Sequence, residues 1–139
     1  MEIKYALDEI NQVAKMIVSM LEGKRTILLY GDLGAGKTHL SAEIIRCLFA
    51  KMDLIVQSPT YSIVNIYRSD ACDIAHLDLY RVKSTEELYE LGLQEILENY
   101  FCLIEWPEVM KNFSLNAYGI LHITITMVGD EKRILRLDW

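Results

Sequence analysis

Gly31-Asp32-Leu33-Gly34-Ala35-Gly36-Lys37-Thr38 satisfies the phosphate-binding pattern G-x-x-x-x-G-K-[ST] at every fixed position. The chemistry explains the residue types. Glycines let the backbone curl so that successive N–H groups converge on one anion, and a helix starting there adds partial positive charge. Lys37 is expected to reach the β- and γ-phosphates, and the Thr38 hydroxyl to ligate Mg²⁺. A dinucleotide-binding fingerprint would require glycine at position 33, where leucine stands. Hydrolysis also needs carboxylates at the ends of neighbouring strands. Asp78 and Glu105 are the candidates. Glu105 follows the better apolar run, whereas Asp78 is the more usual metal partner and follows a run interrupted by His76. A division giving Asp78 the metal and Glu105 the attacking water is natural, but pattern alone leaves it open.

The elements that must position these groups are legible around them. Thr26 to Tyr30 reads as a buried strand before the loop, and Leu40, Ile44 and Leu48 recur at helical spacing after it, to about Ala50. Upstream, residues 2–6 read as a short strand, and Asp8 as the cap of a helix with stripe Ile10, Val13, Ile17 and Leu21, ending at Gly23. Leu54-Ile55-Val56 reads as a short strand. Ser58-Pro59-Thr60-Tyr61 then precedes an alternating run over 62–67. In isolation that segment is a strand-entry turn; the sharper alternative is a switch loop whose Thr60 hydroxyl approaches Mg²⁺ or the γ-phosphate. Strands over 74–78 and 100–105 carry the two carboxylates. Ser84 to Glu87 opens a short helix stopped by Gly92, and Gln94 to Asn99 forms another. Trp106-Pro107 ends the second acidic strand, before a helical turn over 108–111. Leu121 to Met127 alternates, and Gly129-Asp130 turns it into a strand over 132–138; alternation predicts antiparallel edge strands.

Composition bounds the reading. A chain of 139 residues, 52% hydrophobic, is expected to form one domain over 1–139. Its net charge of −6 argues against autonomous nucleic-acid binding through phosphates. Three widely spaced cysteines without a C-x-x-C pair indicate neither a zinc site nor a disulfide framework. With no signal peptide or membrane-length apolar run, a soluble cytoplasmic protein is expected.

Four ordered motifs together resemble the TsaE family, formerly YjeE, the bacterial P-loop ATPases of tRNA threonylcarbamoyladenosine biosynthesis. They are the loop at 31–38, Ser58-Pro59-Thr60-Tyr61, His76-Leu77-Asp78-Leu79-Tyr80-Arg81 with Glu87-Leu88 and Leu91-Gly92, and Leu103-Ile104-Glu105-Trp106-Pro107-Glu108. The resemblance implies an α/β, P-loop NTPase-like three-layer fold, with a mixed sheet of parallel core and antiparallel edge strands. It implies Thr38 and Asp78 as Mg²⁺ ligands, a nucleotide-responsive Ser-Pro-Thr-Tyr switch, and Glu105 and Trp106 as a catalytic pair in which Glu105 polarises water. By the same resemblance, Asp8 and Arg133 match the residues that hold adenine. The cofactors implied are ATP and Mg²⁺, and the partners TsaB and TsaD, with tRNA contacted only indirectly and ATPase activity weak outside the complex. His39 departs from the Thr or Ser the family often has there.

A small-molecule P-loop kinase is the alternative, but the chain has few arginines and no lid-length insertion; a GTPase would need the Asn-Lys-x-Asp tetrapeptide, which is absent. If residues 31–38 hold a triphosphate, Lys37→Ala removes charge neutralisation at the γ-phosphate and lowers ATP turnover by about 100-fold or more. Phosphate release by the purified variant checks this; undiminished hydrolysis would contradict the assignment.

Overall fold

A computed structural model describes residues 1–115 and 119–139. Strands β1 (Glu2–Ala6), β2 (Thr26–Gly31), β3 (Val64–Arg68), β4 (Asp73–Asp78), β5 (Phe101–Glu105), β6 (Ile120–Val128) and β7 (Lys132–Asp138) form one sheet in the order β1-β7-β6-β2-β5-β4-β3. The four central strands, β6, β2, β5 and β4, run parallel; β7, β1 and β3 are antiparallel to their neighbours. Parallel strands are covered on both faces, which is why β2 and β4 are buried nearly end to end.

Residue parity along the strands divides the core into two layers. Ile27, Leu29, Ile74, Leu103, Leu121, Ile123 and Leu135 pack with helices α1 (Ile10–Ser19) and α2 (Lys37–Phe49) on one face. Leu28, Ala75, Leu77, Cys102 and Ile104 face the other way. They pack with helices α3 (Thr85–Leu91) and α4 (Leu93–Asn99) and the 3-10 helix Pro107–Asn112. The same period of two places His76, Asp78 and Glu105 on the α2 side. Register sets Asp78 beside Glu105, so both acidic strands and β2 end at the same edge of the sheet.

Several expectations are corrected. The 121–127 segment is not at an edge: β6 lies between β2 and β7, and β1 and β3 are the edges. Its non-core face is half-covered, with His122 stacked on Tyr30, and Met127 points to solvent. The hairpin turn has three residues, 129–131, because Val128 pairs with Lys132. Residues 54–56 form no strand; Leu54 and Val56 pack on the core as irregular chain, with the Leu54 carbonyl accepting from Arg46 Nε at 2.9 Å. Strand β3 starts only at Val64, because Ile63 has φ +68° and its N–H closes a turn onto the Pro59 carbonyl at 2.7 Å. Asp8 caps nothing. It lies in a 3-10 turn, Leu7–Glu9, and Glu9 does the capping by accepting the Ala6 N–H at 2.8 Å. Helix α1 ends at Ser19, leaving Leu21 buried beyond it.

Leu103 is fully buried in β5, between β2 and β4. Leu103→Ala opens a cavity beneath α2 and costs about 3 kcal/mol. Ile55→Ala, at a position 77% exposed, changes stability by less than about 0.5 kcal/mol. Urea unfolding of both variants checks the contrast.

Candidate functional site

The chain leaves the end of β2 at Gly31 and enters α2 at Lys37, so the loop between them wraps the N-terminus of a 13-residue helix. Two glycines are structurally required. A Cβ at Gly31 would stand 2.8 Å from the Ile125 carbonyl oxygen, and Gly36 caps α2 with φ +106°. Ala35 is buried, and its carbonyl accepts from Arg133 Nε at 2.9 Å. Arg133 also donates through Nη1 to the carbonyls of Asp130 at 3.2 Å and Lys132 at 2.9 Å. A buried guanidinium thus ties the loop to the β6–β7 turn.

A cavity of about 230 Å³ opens over this loop. Leu33, Gly34, Gly36, Lys37, Thr38 and His39 line it from the loop side, and Thr60, Asp78, Glu105 and Trp106 close it from the strand ends. Lys37 is 5% exposed. Its Nζ folds back onto the carbonyl oxygens of Gly31 and of Asp32 (3.0 Å), 3.9 Å above the Trp106 ring. Trp106 adopts φ +55°, a costly conformation for a residue with a side chain, and packs 4.9 Å from Tyr80. The Thr38 hydroxyl donates to Glu105 Oε1 at 2.7 Å. Asp78 Oδ1 accepts the Tyr80 N–H at 2.9 Å; its Oδ2 lies 3.5 Å from the Thr60 hydroxyl, which pairs with Ser58 Oγ at 2.6 Å.

Most of the residues singled out in the sequence therefore meet in one place. Asp32 is exposed on the loop, contributing its carbonyl to Lys37. Asp8 and Arg133 do not line the cavity. Arg133 lies behind the loop, and Asp8 is exposed in a turn tied to the β6–β7 connection by the Leu7 N–H to Glu131 carbonyl bond, 3.0 Å. In the sequence, His76 has a place in the 76–81 motif and interrupts the apolar run before Asp78, with no role of its own. It is fully buried, with Nε2 2.6 Å from Glu105 Oε2. The signal was its spacing of two from Asp78, which puts both on one strand face. A second cavity, about 490 Å³ and lined by Arg25, Tyr89, Gln94 and Phe113 among others, opens at the opposite ends of β2 and β6. It is larger, yet residues 31–38, Asp78 and Glu105 are all absent from its lining.

Burial shifts the charges here. It pushes the Asp78 carboxyl above its ordinary range, outweighing the Tyr80 N–H, and Glu105 nearby adds to the rise. Burial likewise lowers the Lys37 amine, against the pull of Glu105, Glu108, Asp78 and Asp32. Two buried carboxylates beside the hydroxyls of Thr38 and Thr60 make an oxygen-rich donor set. That set suits a hard divalent cation that retains water, and Mg²⁺ fits it.

Comparison with known proteins gives the family. A sequence profile for the family described as "Threonylcarbamoyl adenosine biosynthesis protein TsaE" matches residues 5–135. A tRNA threonylcarbamoyladenosine biosynthesis protein TsaE from Rickettsia bellii is 37% identical over 130 residues, 94% of this chain and 88% of the relative. Proteins of the same description from Aquifex aeolicus and Bacillus subtilis are 32% and 31% identical. Each match covers 91% of this chain, and 86% and 77% of those relatives. The crystal structure of Bacillus subtilis YdiB superposes with a TM-score of 0.70 over 97% of this chain and 83% of that one; at 24% identity it speaks to the fold.

The raised Asp78 carboxyl means that the folded chain holds that proton more tightly than the unfolded chain. The penalty for ionising Asp78 is absent below the ordinary value of 3.8, and it is complete above the raised value. Asp78→Asn keeps the Tyr80 contact without the charge. Without Mg²⁺, it is expected to melt at a higher temperature than the parent near neutral pH, with the gain vanishing toward about pH 4. Thermal melts of both proteins across that range check it.

Proposed function

The chain belongs to the TsaE family, and on that premise we propose that it is the ATP-binding and ATP-hydrolysing subunit required for threonylcarbamoyladenosine modification of tRNA, a cytoplasmic protein acting with the TsaB–TsaD complex. The observation that carries the reading is the convergence of Lys37, Thr38, Asp78 and Glu105 on the cavity over the 31–38 loop. ATP rather than GTP follows from the missing guanine tetrapeptide.

In this reading the loop N–H groups and the α2 N-terminus hold the phosphates. Lys37 exchanges the carbonyls of Gly31 and Asp32 for β- and γ-phosphate oxygens, leaving its place over Trp106. Thr38 and Asp78 hold Mg²⁺, which supplies neutralisation of charge on the phosphate oxygens. Glu105 accepts a hydrogen bond from the attacking water, whose oxygen bonds to the γ-phosphorus as the bond to the ADP oxygen breaks. The 2.7 Å contact between Thr38 and Glu105 favours a second assignment within the same reaction, in which Glu105 shares the metal shell. Thr60, bonded toward Asp78, links the Ser-Pro-Thr-Tyr segment to the phosphate end of the site. Tyr61 beside it is 85% exposed, with the Arg81 guanidinium 5.5 Å from its ring centre.

Co-purification with TsaB and TsaD, with and without ATP, tests the partnership, and phosphate release by the complex tests the chemistry. Association is expected with ATP and not without nucleotide. Glu105→Ala is expected to keep ATP affinity within about 3-fold while turnover falls about 100-fold, and Asp78→Ala to raise the Mg²⁺ requirement. Loss of Mg²⁺ dependence in Glu105→Ala instead would favour the shared-shell assignment. Failure to associate under any nucleotide, with phosphate passing to a small acceptor, would favour a kinase.

A further inference from the structure

His76 is fully buried on β4, and its ring carries two different environments. Nε2 lies 2.6 Å from Glu105 Oε2, whereas Nδ1 is buried with no hydrogen-bond partner among the described residues. Glu105 Oε1 accepts the Thr38 hydroxyl, and an ionised carboxylate has no proton to donate from Oε2. Nε2 must therefore carry the imidazole proton. The lone pair then falls on Nδ1, the less costly group to leave unpaired; a proton there as well would bury an unsatisfied donor.

We propose that His76 is the positioning residue for Glu105: its Nε2–H holds one carboxylate oxygen so that the other points into the cavity. The inference rests on the ATPase reading above and adds a residue to it. The geometry argues for a role beyond filling space. His76 pairs in register with Leu103, and Glu105 lies two residues further along the same face of β5. The contact thus runs diagonally between the two carboxylate-bearing strands. An apolar residue would fill that position without leaving a ring nitrogen unpaired, so the cost of the unpaired Nδ1 is offset by what Nε2 does. Glu105 has two side-chain anchors among the described residues, Thr38 and His76. Thr38 is also the hydroxyl assigned to the metal, and when it turns to that role His76 is the anchor that remains. Without it, the Glu105 side chain regains rotamers and spends less time aimed at the reacting water.

Two readouts test this. In the protein alone, an ¹⁵N–¹H spectrum should show a protected imidazole Nε2–H resonance that is lost or strongly shifted in Glu105→Ala; its absence from the parent would overturn the hydrogen bond. In the TsaB–TsaD complex, His76→Leu should lower kcat for ATP by about 10-fold or more with KM within about 2-fold, and His76→Gln, whose Nε2 can donate from a similar place, should restore most of kcat. Unchanged kcat in His76→Leu, a change confined to KM, or a His76→Gln variant no better than His76→Leu would overturn the positioning role. Absence of ATP turnover by the unmodified chain would overturn the underlying reading instead.

Discussion

Glu105 accepts the Thr38 hydroxyl on one carboxylate oxygen and the His76 imidazole on the other, at 2.7 and 2.6 Å. These two bonds tie together the first turn of α2, the end of β5 and the middle of β4. A buried carboxylate is tolerable only when both oxygens are satisfied, so the strands must present their polar residues on one face and in one register. The sheet meets that demand. Parallel pairing of β2, β5 and β4 sets Leu29 beside Glu105 and Glu105 beside Asp78, so that phosphate loop, base candidate and metal candidate emerge at a common edge. Ligands of open α/β sheets bind at such an edge, beyond the carboxyl ends of the strands.

The same arrangement stores unfavourable terms. Asp78 is buried with a raised carboxyl, Lys37 is buried with a lowered amine, and Trp106 holds a left-handed backbone at the rim. None of these stabilises the free protein. In the proposed function the first two are relieved by a polyanion with its cation: phosphates would take the Lys37 ammonium, and a divalent ion the Asp78 charge. Local strain of this kind marks a site whose ligands complete it. Arg133 works on the other side of the loop, holding Ala35 to the β6–β7 turn so that the cradle keeps its shape.

How much of this was legible in the sequence depended on whether the constraint was local. The strand–loop–helix setting of residues 31–38 could be read directly, because the pattern fixes residue types and spacing within eight positions. Asp78 and Glu105 were visible as acids ending apolar runs, but their division of roles was not, because it depends on which carboxylate meets Thr38 across 67 positions of sequence, or 40. His76 looked like a defect in a strand because its partner lies 29 residues away. Residues 121–127 alternate like an edge strand, yet β6 sits inside the sheet, since partial cover by Tyr30 and neighbouring strands leaves room for polar residues there. Residues 54–56 are apolar enough for a strand, but no strand among the described residues pairs with them: Leu54 and Val56 pack on the core while the Leu54 carbonyl bonds Arg46, a distinction that periodicity over three residues cannot carry.

In the proposed function, the cavity over residues 31–38 holds ATP and Lys37 leaves its resting carbonyls to bind it. A crystal structure of this chain with Mg²⁺ and a non-hydrolysable ATP analogue tests it most directly. The triphosphate is expected within the loop, with Lys37 Nζ on its oxygens and away from Gly31 and Asp32, and the Thr38 hydroxyl released from Glu105. Nucleotide bound elsewhere, such as the cavity beside Arg25 and Phe113, or Lys37 still seated beneath its own loop, would contradict it.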